Sequence, residues 1–189
     1  MCCGTKRLVE IQCPTGCPYL ATARVHPAAV TVRQQQRDVT SLAHAIRDLS
    51  ERQSELFFLI NSFLQQYKPP ELQALVDLDV VDAVAALAGT FETAARGVIY
   101  DHRPAALPAD RLATALKPII AEAGKHGGTP FDRDAAVVLR RIEEAAREVM
   151  TADAANRRAY IDLLRRVLKE SQDPEASGGN ADVQRLIVP

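Results

Sequence analysis

Four cysteines, Cys2, Cys3, Cys13 and Cys17, are the residues best placed to do chemistry, and all of them fall in the first 17 positions. Cys13-Pro14-Thr15-Gly16-Cys17-Pro18 is turn chemistry: proline fixes φ, glycine admits positive φ, and the two thiols are brought near each other. Cys3-Gly4 offers a second tight turn, and Leu8, Val9 and Ile11 between the two would suit a short hairpin arm. Thiolates in such an arrangement are the ligands of tetrahedral Zn²⁺. The expectation is a structural zinc knuckle held by Cys2, Cys3, Cys13 and Cys17. His26 is a substitute ligand, because two adjacent cysteines seldom both point at one ion. The same four thiolates would accept an iron–sulfur cluster or act as reactive thiols, so a redox or metal-dependent role is the alternative. A segment of 26 residues with little apolar content needs such a staple in order to fold.

Cys3-Gly4-Thr5-Lys6 with the later cysteines resembles, in part, the short zinc knuckle known as the SEC-C motif. That motif's first ligand position and its closing adjacent cysteine pair have no counterpart. The overlap is short, and no function is carried over from it.

The scaffold behind this segment reads as helix. From Ala28 to Lys68 the chain has neither proline nor glycine, and it follows Pro27, a residue suited to a first helical turn. Val39, Leu42, Ile46, Leu49, Gln53, Leu56, Ile60, Phe63 and Tyr67 step by three and four, a heptad seam with one polar member. A helix over 28–67 would be about 60 Å long, more than the roughly 40 Å width of a domain of this size. Either it breaks, with Ser50-Glu51-Arg52-Gln53 as a capping box at the break, or it projects and pairs as a coiled coil with a protein partner or in a homodimer.

After Pro69-Pro70 a short helix is expected to Val76, then one from Asp77 or Asp79 to about Tyr100. Another spans Asp110 to Ala123, kinked or split at Pro118. A fourth runs from Thr129-Pro130 to about Met150, and the last starts at Thr151 or Asp153 and ends near Glu170. The fold class is all-α: a multi-helix bundle built on the long heptad helix. Its divisions are 1–26 for the cysteine knuckle, 27–170 for the bundle and 171–189 for a flexible tail rich in glycine, serine, aspartate and asparagine.

Composition narrows function. The chain has 189 residues and a net charge of −1, so nothing demands a polyanionic partner. No segment approaches the ~20 apolar residues of a membrane span, and the start lacks a signal peptide's basic and apolar regions. These features place the protein in the cytoplasm, where clustered thiols favour metal over disulfides. No nucleophile elbow, phosphate loop or dinucleotide fingerprint occurs, and no histidine follows a glutamate by three as a di-iron bundle would need. His44 lies on the long helix beside the seam and reads as a surface residue, while His102 and His126 sit by helix ends, where a helix dipole favours them. The doublets Arg140-Arg141, Arg157-Arg158 and Arg165-Arg166 are interleaved with acids at helical spacing and read as solvated pairs. Lys6, Arg7, Arg24, Arg33 and Arg37 have fewer acids nearby, which keeps nucleic-acid binding as a minor alternative. The leading reading is a non-enzymatic interaction or regulatory protein with a structural zinc site. Replacing Cys13 or Cys17 by serine is expected to disorder residues 1–26 while circular dichroism retains most helix. Global unfolding would place the metal site in the main core.

Overall fold

The structure, a computed structural model, describes residues 29–70, 74–125 and 131–170. The described residues form six helices and no strand: α1 (Ala29–Ile46), α2 (Glu51–Gln66), α3 (Asp77–Ala94), α4 (Leu107–Lys125), α5 (Phe131–Ala152) and α6 (Ala159–Glu170). The cysteine segment, His26, His126, Thr129-Pro130 and the 171–189 tail lie outside these residues. The chain divides into two units, 1–38 and 39–189. In the first, the described residues belong to α1, where Gln34 Nε2 donates to Asp38 Oδ1 at 2.7 Å, an i,i+4 bond along the helix. The bundle of α2 to α6 lies in the second.

The heptad run breaks. α1 ends at Ile46 and a turn carries the chain to Ser50, which caps α2. Ser50 Oγ accepts from the Gln53 amide at 3.3 Å, while Gln53 Oε1 accepts from the Ser50 amide at 3.0 Å. This reciprocal box satisfies amides that would otherwise lack partners at a helix start. It also explains the polar member of the seam: Gln53 Nε2 goes on to bond Asp134 of α5 at 2.8 Å. In α2 the seam residues Leu56 and Ile60 are buried in the bundle's own core, with Phe57 and Leu64. Phe58 and Leu59 remain exposed, so the apolar surface of this half is only partly covered.

The core is assembled from one stripe per helix. Val80, Val84 and Leu87 of α3 meet Leu112, Leu116 and Ile120 of α4, Leu139 and Ile142 of α5, and Tyr160 and Leu164 of α6. The most extensive packing is between α3 and α5. α4 continues through Pro118 without a break. The proline removes one backbone bond, but Pro118 and Thr114, whose carbonyl loses that partner, both face solvent, where water can replace it. Residues 74–76 are not helical, and Val76 is extended.

The last helix starts six residues later than the nearer of the two expected positions, at Ala159, and the cause is Asp77. Asp77 is fully buried in the first turn of α3. Its Oδ2 accepts from the Tyr160 amide at 2.9 Å and its Oδ1 from the Ile161 amide at 3.2 Å. Its own amide donates to the Arg157 carbonyl at 2.9 Å. A carboxylate on one helix therefore caps another distant in sequence. Asp79, meanwhile, accepts from the Val76 amide at the start of α3. Tyr160 extends the joint: its hydroxyl donates to Asn61 Oδ1 at 2.6 Å, and Asn61 Nδ2 donates to the Phe57 carbonyl at 2.9 Å. Burial raises the Tyr160 phenol well above its ordinary value and keeps it a donor.

Removing the carboxyl strands two buried amides, so Asp77→Ala is expected to lose about 2–4 kcal/mol in urea unfolding. Burial raises the Asp77 carboxyl above its ordinary 3.8, against the lowering effect of the two amides. The stability tied to that proton is fully present below the unfolded value and is lost as pH rises through the raised one. Wild type should therefore lose stability relative to Asp77→Asn as pH rises from about 4 through that window. A difference that is flat with pH, or that grows with pH, would contradict this assignment.

Candidate functional site

α3 ends at a well-formed stop. Gly97 has φ 80°, which glycine adopts without strain. Its amide donates to the Ala94 carbonyl at 2.8 Å and the Val98 amide to Thr93 at 3.0 Å, the paired bonds of a Schellman motif. The helix expected to reach Tyr100 thus closes at Ala94, four residues before Val98. Three successive apolar residues then face solvent: Val98, Ile99 and Tyr100, with Ile99 fully exposed. An exposed apolar run of this kind is informative where single exposed residues are not.

This loop is held from several sides. The His102 amide donates to Thr90 Oγ1 at 2.9 Å. The Thr90 hydroxyl itself donates to the Ala86 carbonyl at 3.1 Å. The His102 ring lies over Gly89, so close that a Cβ there would sit 3.2 Å from its Cγ. The Tyr100 and His102 rings meet edge to face at 4.6 Å. Asp101 pairs with Arg103 within the loop and with Lys117 of α4, and the Lys117 ammonium holds its carboxyl below the ordinary range. His102, expected simply to sit by a helix end, is the pivot of this loop. His44 does lie exposed in the last turn of α1.

Beside the loop, α3 and α5 enclose an open groove of about 510 Å³. Ala95, Ala136 and Val137 form its apolar part, and Val137 is 44% exposed. Arg96, Arg133, Arg140 and Arg141 line it with Glu92 and Glu144, an excess of two positive charges. The arginines are not equivalent. Arg140 makes a two-point contact with Glu92 across the helices, at 2.8 and 3.0 Å, and a third bond to Glu143 at 2.8 Å. These bonds lower the Glu92 carboxyl and raise the Arg140 guanidinium from their ordinary values. Arg141 faces Glu144 at 3.7 Å. Arg96 and Arg133 make no ion pair among the described residues, and both are exposed.

At the start of α5, Phe131 packs on Gly124, stacks edge to face with Phe91 at 6.4 Å and lies under the Arg52 guanidinium. This cluster fixes the start of α5 and with it the position of Arg133.

The expected ligands Cys2, Cys3, Cys13, Cys17 and His26 are outside the described residues. Among the described residues, no group of three or more histidine, cysteine, aspartate or glutamate side chains is placed to hold a metal, and no helix is long and apolar enough to cross a membrane. The doublet Arg140-Arg141 does pair along its own helix, but the bond from Arg140 to Glu92 is between helices and is not legible as spacing. Arg133 can be singled out by spacing, since neither the residues three and four before it nor those three and four after it are acidic. Arg96 cannot, because Glu92 lies four residues before it and only the fold commits that carboxylate to Arg140.

Compared with protein-family models, curated proteins and solved structures, the chain matches none.

Contact between His102 and Gly89 predicts a coupling. Alanine is favoured over glycine in a helix by about 1 kcal/mol, while crowding a packed ring costs about 1–3 kcal/mol. Gly89→Ala alone is expected to leave stability unchanged or lowered. In a His102→Ala background the same change should stabilise by about 1 kcal/mol in denaturant titrations. Equal effects in the two backgrounds would mean that the ring does not rest on Gly89.

Proposed function

We propose that this protein is a non-enzymatic interaction or regulatory protein, in which the helical bundle presents a contact surface and the N-terminal cysteines hold a structural zinc. One observation carries the interaction reading: the fully exposed Ile99 stands on a loop held by the Schellman stop, Thr90, Gly89 and Lys117. A loop with no partner gains nothing from displaying three apolar side chains in one fixed shape. A binding loop gains directly, because little conformational entropy remains to be lost on contact. Large side chains held in place at a surface are the usual anchors of protein interfaces.

Ile99→Asp tests this surface without disturbing the core, because Ile99 buries no area in the bundle. The melting temperature should be unchanged. Chemical cross-linking of the full chain in its native cell extract should give specific adducts that the variant loses. Identical adducts from both forms would remove the loop from the contact surface. For the cysteines, elemental analysis of protein purified without oxygen should give about one zinc per chain. Iron with sulfide would make the cluster a redox centre and displace the structural reading.

A further inference from the structure

We propose, on the interaction reading above, that the groove between α3 and α5 takes an acidic helical segment of a partner protein, with Arg96 and Arg133 receiving its carboxylates. Three features of the groove select this occupant. The first is charge. Arg140 is already saturated by Glu92 and Glu143, so the attraction available to a ligand resides in Arg96 and Arg133. Neither is in ion-pair contact among the described residues, although Arg96 helps from a distance to lower the Glu92 carboxyl, and each would gain a charge-assisted bond at little desolvation cost.

The second feature is length. The lining residues of α5 run from Arg133 to Glu144, about 16 Å along the helix axis. That is about three turns of helix, longer than a single phosphate or carboxylate needs. The third is the apolar strip of Ala95, Ala136 and Val137 between the charged rims, which suits the apolar stripe of an amphipathic helix laid along the groove. Ile99 lies three residues beyond Arg96, so one partner segment could engage both the groove and the loop. Glu144 lies on α5 eleven residues beyond Arg133, and it disfavours acid at that end of the groove. The occupant's acidic residues therefore lie opposite Arg96 and Arg133 and not opposite Glu144.

Selection of a phage-displayed dodecapeptide library on the intact protein tests this. Enriched sequences should carry at least two acidic residues at helical spacing with apolar residues between them. Arg96→Glu combined with Arg133→Glu should weaken the selected peptides by roughly tenfold or more. Lys68→Glu combined with Arg157→Glu makes the same change in net charge at exposed residues outside the groove lining and should weaken them less than about twofold. Circular dichroism melting checks that both double variants fold. Acid-poor peptides that lose binding to Ile99→Asp but not to the arginine variant would overturn the groove assignment and leave the interaction reading standing. Equal loss in the two double variants would mean bulk charge alone and overturn it. Saturable binding of inorganic phosphate, with no enrichment of acidic peptides, would make the groove a small-anion site and overturn it as well. No enrichment of any peptide would count against both readings.

Discussion

The carboxylate of Asp77 is the constraint on which the bundle depends. It is buried, yet each oxygen meets a backbone amide of another helix, and its own amide returns a bond to the Arg157 carbonyl. Helix starts leave amides without partners, and here two helix starts close on each other instead of on water. The pair of positive helix ends offers the buried carboxylate compensation that a neutral core would not. Tyr160 and Asn61 then carry the joint to α2. α6, remote in sequence, is thus tied to α2 and α3 at one polar point inside an apolar core, and apolar packing alone would leave their register free to slip.

α3 carries this order along its own length. Its first turn holds the Asp77 joint, and its middle turns supply the apolar stripe of Val80, Val84 and Leu87. Its last turns hold the loop through Gly89, Thr90 and Thr93, and they line the groove through Glu92, with Ala95 and Arg96 just past its end. Gly89 and Gly97 serve different needs in this arrangement. The first leaves room for the His102 ring, and the second supplies the positive φ that ends the helix. Glu92 does for the α3–α5 pair what Asp77 does for α3 and α6. It meets Arg140 in a partly exposed setting, where the contribution is smaller and more geometric than energetic.

Local signals are legible in the sequence and tertiary ones are not. Ser50 and Gln53 mark a helix start because a capping box is a matter of spacing within four residues, and the structure breaks the heptad run there. The all-α class follows from apolar steps of three and four. Local spacing makes Asp77 a cap for its own helix, since nothing near it reveals that its oxygens face Tyr160 and Ile161, more than 80 positions away. The late start of α6 is hidden for the same reason. Pro118 predicts a break in α4, but the rule for proline in helices concerns a lost bond, and the solvent exposure that makes the loss cheap is a property of the fold. Val98 fits the apolar face of a longer α3 until Gly97 ends the helix before it. Of the groove, Arg133 alone stands out by spacing, and its pairing with Arg96 needs the packing of α3 on α5.

α3 is one rigid element that carries the Asp77 joint at one end and the displayed loop at the other. Native-state amide hydrogen exchange, resolved by residue, tests it most directly. The amides of Val98 and His102, bonded to Thr93 and Thr90, should open with free energies close to those of Tyr160 and Ile161, while the Ile99 amide exchanges freely. Exchange of Val98 and His102 at the rate of an unprotected peptide, beside slow exchange of Tyr160 and Ile161, would contradict it. The loop would then be a loose end of the bundle and not a built surface.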